Sequence, residues 1–375
     1  MPSTIYLDHN ATTPPLPEVI EEVARVMREC FGNPGSRHAA GRKARQVLEA
    51  SREALALGLG AVPSEVVFTS GGTEANNLAI HGLTQGPPGT IVISPGEHPS
   101  VHEVCRSLGR RGWRVHPMPV DRSGRLVIEE LPSDTRLVAV ILAHNETGVI
   151  QDVKPLAEAC RTRAIPLHLD AVQAVGKIPV NFHELGATTL SFGAHKFHGP
   201  RGVGGLLVRE RTRLASWMQG GHQETDRRPG TEPVALIAGM ARAFQLWQAD
   251  AAAITERVEQ LRDRLQNQLL ERCAPAVVNG LEAPRLSNTL NISFPGVDGE
   301  ALLVALDLEG IACSLGTTCA SGSSEPAPVL IAMGLTSDLY RSAIRFCLSR
   351  LNTRDEIDEA AERIVRVVAR LRNSR

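Results

Sequence analysis

Several features are missing from this chain of 375 residues, and each absence narrows what it can be. There is no excess of charge, because 40 basic side chains face 41 acidic ones. The electrostatic footprint of a protein that grips nucleic acid or an anionic membrane surface is therefore lacking. No apolar run approaches the roughly 18 residues of a membrane span. The start, MPSTIYLDHNATTPP, lacks the basic residues and apolar stretch of a secretory leader. Repeats and low-complexity tracts are absent. The seven cysteines (Cys30, Cys105, Cys160, Cys273, Cys313, Cys319 and Cys347) are odd in number and scattered. That distribution argues against a disulfide framework and for reduced thiols. A soluble, cytoplasmic protein without nucleic-acid or membrane partners is expected, built as a large domain with a smaller one.

What is present is alternation. Short apolar runs (EVVFTS, TIVIS, RLVAVILA, IPLHLD, TTLSFG, GVGGLLV) take turns with segments such as TEANNLAIHGL and VKPLAEACRTR, whose apolar residues recur at helical spacing. Strands alternating with helices predict an α/β domain with a largely parallel sheet. A long charged helix from about Asp250 to Cys273 leads into a second region. There SNTLNISF, GIACSL and SAIRFCL read as strands, and RDEIDEAAERIVRVVARLR as a closing helix with a solvated basic face.

Ligands of open α/β sheets bind beyond the carboxyl ends of the strands. Five such ends carry suggestive residues. Gly71, Gly72 and Thr73 follow EVVFTS and open a helix whose free amides suit a phosphate, although a plain turn with Thr73 as N-cap reads equally well. His98 follows TIVISPGE, Asn145 follows VAVILAH, Asp170 follows IPLHL, and Lys196 follows TTLSFGAH. Lys196 and Asp170 can hold pyridoxal 5'-phosphate (PLP) at both ends of its ring: the amine carries the aldehyde, and the carboxylate pairs with the ring nitrogen. His98 and His102 stand at a metal-binding spacing, but Pro99 favours the first helical position and leaves His98 outside the helix. A planar imidazole there suits stacking on an aromatic ring, and no metal is expected.

Across nearly its whole length the chain resembles the cysteine desulfurases, the NifS/IscS-like branch of the class V aminotransferase family within the fold-type I PLP enzymes. The motifs are YLDHNATTP, FGNP, FTSGGTEANNLAI, GEHPSV, HNETGVIQD, HLDAVQAVGK, SFGAHKFHGPRG, RRPGTEPV, CASGSSEP and SAIRFCLSR. The resemblance implies a large PLP-binding domain (residues 15–250) with a mostly parallel seven-stranded sheet. It also implies a smaller α+β domain (residues 1–14 and 251–375) carrying a mobile cysteine loop. By the same resemblance Lys196 matches the Schiff-base lysine, Asp170 the ring-nitrogen partner, and Gln173 the donor to the ring hydroxyl, with Asn145 near the ring and the substrate. His98 matches the stacked imidazole and acid/base. Gly72, Thr73 and His195 match phosphate positions, as does Thr231, which the family supplies from the neighbouring subunit of a homodimer. Arg345 matches the guanidinium that grips the substrate carboxylate.

Cys319 decides the reaction. In LGTTCASGSSEP it has little to pack against, whereas Cys313 in EGIACSL reads as core. A thiol there can take sulfur from L-cysteine as a persulfide, leave L-alanine, and pass the sulfur to an acceptor in iron–sulfur cluster or thiolation pathways. Gly193 stands where the family usually has serine, His144 where asparagine is frequent, and Thr317 and Thr318 where smaller residues precede the cysteine. Two alternatives stay open at this point. One is a class V aminotransferase or selenocysteine lyase in which Cys319 is incidental. The other is an inactive paralogue that serves for docking.

Overall fold

The computed structural model describes residues 3–315 and 327–373. In chain order the strands are β1 (Ile5–Tyr6), β2 (Val66–Thr69), β3 (Thr90–Ile93), β4 (Arg114–Pro117), β5 (Thr135–Ile141), β6 (Leu167–Asp170), β7 (Thr189–Gly193), β8 (Gly204–Val208), β9 (Val277–Val278), β10 (Thr289–Ser293), β11 (Ile311–Ala312) and β12 (Ala343–Cys347). Seven of them form one sheet in the order β2-β8-β7-β6-β5-β3-β4. Only β8 runs against its neighbours, β2 and β7. The apolar runs read from the sequence are these strands. They carry few polar residues because helices cover both faces of the sheet, so both sides of each strand are buried. Edge strand β4 escaped that reading, since all four of its residues are exposed and no apolar pattern marks them.

The largest apolar core lies against this sheet, with Phe68, Val140, Leu169, Leu190, Phe192 and Phe244 among its members. A second core joins Ile5 and Leu7 to Leu265, Leu290, Phe346, Ile357 and Ile364. It packs the helices Ala251–Arg272 and Arg354–Asn373 on the three-stranded sheet β12-β10-β9. The start of the chain belongs to this second core. β1 pairs in parallel with β11, and Asp8 bridges to Cys347. Residues 9–13 then run back toward the large sheet, where Thr13 N and Oγ1 both donate to the carbonyl of His195, each at 2.9 Å. Among the described residues no helix is long and apolar enough to cross a membrane.

Candidate active site

Beyond the carboxyl ends of β2, β5, β6 and β7 lies a cavity of about 570 Å³. Gly71, Gly72, Thr73, Asn76, His98, Asn145, Asp170, Gln173, His195 and Lys196 all line it. The turn after β2 brings the start of helix Gly72–Leu83 to one wall. The cap of that helix is Gly71, not Thr73, at φ 155° and ψ −178°, a conformation open to glycine. Its close seat on the sheet requires a second glycine: a Cβ on Gly204 would lie 2.7 Å from Gly71 Cα. Thr73 falls inside the first turn, whose amides have no partner within the helix. Glu74, the one acidic residue at this wall, is turned to Arg228 at 2.7 Å.

Asp170 ends β6 with both oxygens engaged. Oδ1 accepts from Val172 N at 3.0 Å, and Oδ2 from Asn76 Nδ2 at 2.8 Å. Asn76 is itself oriented: its Oδ1 faces Ser191 Oγ and, at 2.9 Å, His168 Nε2, while His168 Nδ1 meets Thr189 Oγ1 at 2.9 Å. Burial lowers His168 to about 4, so this ring is neutral. Its proton lies on Nε2, where Asn76 needs a donor. The chain Thr189–His168–Asn76 thus fixes the aspartate, and none of its members was legible as functional in the sequence.

Lys196 follows β7 in a short turn, and its ammonium donates to the carbonyls of Asn10 and Ala11. Burial, then the positive charge of Arg345, brings it down to about 8. Gln173 donates from Nε2 to the Asn10 carbonyl at 2.9 Å. His98 caps helix Pro99–Gly109 from outside, as Pro99 predicts, and its Nδ1 accepts from Ser100 N at 3.1 Å. The ring proton is therefore on Nε2, and burial lowers the imidazole below its ordinary range. His195 meets Thr12 Oγ1 at 3.1 Å and is lowered to about 4, by burial first and then by Lys196.

Arg345 is buried in β12 and does not line the cavity. One terminal nitrogen donates to Asp8 at 2.8 Å, the other to Glu146 at 2.7 Å, while its Nε has no partner among the described residues. Glu146 also accepts from Asn145 Nδ2 at 2.7 Å, which ties Arg345 to a cavity residue. His144 is a strut, with Nε2 against the Gly96 carbonyl at 2.9 Å and Nδ1 accepting from Glu146 N at 3.1 Å. Thr231 is exposed and lies outside the cavity. Cys319, with Thr317 and Thr318, lies outside the described residues. Cys313 packs partly buried against the second core.

Residues 5–360 match the family Aminotransferase class-V. A cysteine desulfurase IscS of Dictyoglomus turgidum is 40% identical over 381 residues, spanning 99% of this chain and 96% of that protein. A solved NifS-like protein superposes with a TM-score of 0.90 at 34% identity, covering 98% of this chain and all 100% of that one. SspA, solved in complex with cysteine, gives 0.81 at 29% identity over 93% of this chain and 100% of its own. The fold is that of the fold-type I PLP-dependent transferases. Sequence and architecture agree over almost the entire length: the chain belongs to the cysteine desulfurases of the class-V aminotransferase family.

Proposed function

We propose that the protein removes sulfur from L-cysteine with PLP held in the cavity described above, yielding L-alanine and a persulfide on Cys319. The observation that carries this reading is convergence: Lys196, Asp170, Gln173, His98 and the start of helix Gly72–Leu83 meet at one cavity. The donor set fits the cofactor. Free amides of a helix start, with Thr73 and the neutral His195, suit a phosphate. A carboxylate locked by Asn76 and the Val172 amide suits a pyridinium nitrogen, Gln173 Nε2 suits a ring oxygen, and the His98 ring suits a stacked face. When bound, PLP supplies an electron sink that acidifies the substrate Cα–H.

The chain's own groups supply the rest. Lys196, held near 8 by burial, is in part a neutral amine at neutral pH and can carry the Cα proton. His98, with Nδ1 committed to Ser100, has Nε2–H left for the substrate thiol. Asn145, at the cavity, and Arg345, tied to it through Glu146, would bind the substrate carboxylate, which requires Arg345 to exchange a carboxylate partner of its own for the substrate's. The thiolate of Cys319 attacks the substrate sulfur, the Cβ–S bond breaks, and protonation of the remaining carbon fragment gives alanine. L-Cysteine and one thiol become L-alanine and one persulfide, so atoms and electrons balance. An acceptor protein or thiol then takes the sulfur, in iron–sulfur cluster assembly or thiolation. The same proposal includes a homodimer in which Thr231 reaches the neighbouring subunit's phosphate site. It also includes the division into residues 15–250 and residues 1–14 with 251–375, supported by two separate apolar cores.

The test is alanine and sulfide released from L-cysteine by the PLP-loaded protein under a reducing thiol, with Cys319→Ala beside it. Equal amounts of both products, each lost in the variant, are expected. Full turnover by Cys319→Ala would instead identify an enzyme for which that thiol is incidental.

A further inference from the structure

Lys177, four residues beyond Gln173 in HLDAVQAVGK, has no part in the chemistry above. Its ammonium is deep enough in the protein that burial brings it down to about 7. It donates to Gln173 Oε1 and, at 2.7 Å, to Asn10 Oδ1. A lysine ammonium has three donors and no acceptor, and even the neutral amine keeps two N–H groups for two oxygens. As an ammonium, a lysine in this position demands an oxygen from each neighbour.

For Asn10 that demand is redundant. Its Nδ2 already donates to the Asn145 carbonyl and Thr289 Oγ1, both at 3.0 Å, and Asn288 Nδ2 donates to its Oδ1 at 3.0 Å. Gln173 is different. Two contacts set its sense: the Asn10 carbonyl, which Lys196 also serves, takes its Nε2, and Lys177 takes its Oε1. A carboxamide can turn end for end at little cost unless its surroundings distinguish oxygen from nitrogen.

We propose that Lys177 is a positioning residue: by capturing Gln173 Oε1 it keeps the Gln173 amide nitrogen facing the cofactor cavity as a donor. This rests on the reading that the cavity holds PLP. The second N–H of Gln173 would then be left to donate to a ring oxygen of bound PLP, which would favour that oxygen's deprotonated form. Beside Lys177 is a further cavity of about 50 Å³, which leaves room for a larger donor-only side chain.

The experiment titrates the visible absorbance of the PLP-loaded protein against pH and measures PLP affinity in parallel. In K177M the absorbance midpoint is expected to rise by about one pH unit, the size of one lost charge-assisted hydrogen bond, and PLP to bind more weakly. K177R, which can only donate, restores the wild-type midpoint. In a Q173L background K177M adds no further shift. Should K177M fail to fold by circular dichroism, K177Q replaces it: a carboxamide does not fix the sense of the contact, and the midpoint is again raised. An unchanged midpoint in the folded variant overturns the proposal. So does an equal shift in the Q173L background, which would make Lys177 a bare charge. A wild-type protein that gains no visible absorbance with PLP overturns the cofactor reading and this inference together.

Discussion

Glu97, beside His98 in sequence, is buried with one oxygen turned to Ser94 Oγ and Ile141 N and the other without a partner among the described residues. Burial raises it from 4.5 to about 8, so it is protonated in the folded protein at neutral pH. The unfolded chain gives up that proton near 4.5. Between these values the folded state binds more protons than the unfolded one, so Glu97 makes stability fall as pH rises through this window. Glu97→Gln should remove that slope. Urea midpoints at pH 5 and pH 8 should show wild type losing, relative to the variant, up to about 1.4 kcal/mol per pH unit. Parallel profiles would mean that Glu97 is ionised. Gly193 allows a second forecast at this scale. Its backbone is extended (φ −139°, ψ 127°), and a Cβ there would lie 3.4 Å from Gly72 N, an ordinary contact at the helix start proposed to hold the phosphate. Gly193→Ser should therefore fold and add a hydroxyl donor to the proposed phosphate site, tightening PLP about tenfold in an equilibrium binding assay. Equal or weaker binding would place the phosphate elsewhere.

Among the connecting elements, the loop that leads to Thr231 is under backbone strain. Glu224, Thr225 and Asp226 all have left-handed φ, at 49°, 56° and 62°. The Glu224 carboxylate imposes this by reaching into the protein, where it accepts from both terminal nitrogens of Arg52, at 2.7 and 2.9 Å, and from Phe68 N at 2.8 Å. A β-branched residue is ill suited to that conformation, at a cost of roughly 1–2 kcal/mol. Thr225→Gly should raise the melting temperature by a few degrees, and a lower one would show that the side chain supplies more than it costs. Nothing in GHQETDRRPG announces these angles, because they come from an arginine and a strand more than 150 positions earlier. The same limit separates what the sequence made legible from what it hid. Strands β2, β3, β5, β6, β7 and β8 stood out because both of their faces are buried. His98 was placed outside its helix because Pro99 acts on its immediate neighbour. Asn76, His168, Asn10 and Lys177 stayed hidden, since a lone polar residue in an apolar or loop segment carries no local sign of a partner far along the chain. The Thr73 cap was misplaced by the single-residue ambiguity of a Gly-Gly start.

For the molecule as a whole, the proposed homodimer makes a forecast that no single-chain account shares. If each site uses its own Lys196 and the neighbour's Thr231, a Lys196→Ala subunit paired with a Thr231→Ala subunit contains one intact site. Mixing the two after reversible dissociation should recover roughly a quarter of wild-type sites at random reassortment, counted by PLP binding and alanine release. No recovery beyond the sum of the separate variants would confine each site to one chain.

The path of the first residues has a consequence for how such a protein comes into being. Ile5 and Tyr6 find their partners at Ile311 and Ala312, Asp8 bridges to Cys347, and the Asn10 carbonyl receives both Lys196 and Gln173. A polypeptide leaving the ribosome presents this segment about 300 residues before its strand partners at Ile311 and Ala312 are made. The large sheet can assemble earlier, but the floor of its pocket cannot be laid until the segment from Ile311 to Cys347 has been made. Retention of the cofactor would then act as a certificate that both cores had been made: a chain interrupted before these strands, however well its sheet had formed, would be left without the means to handle sulfur.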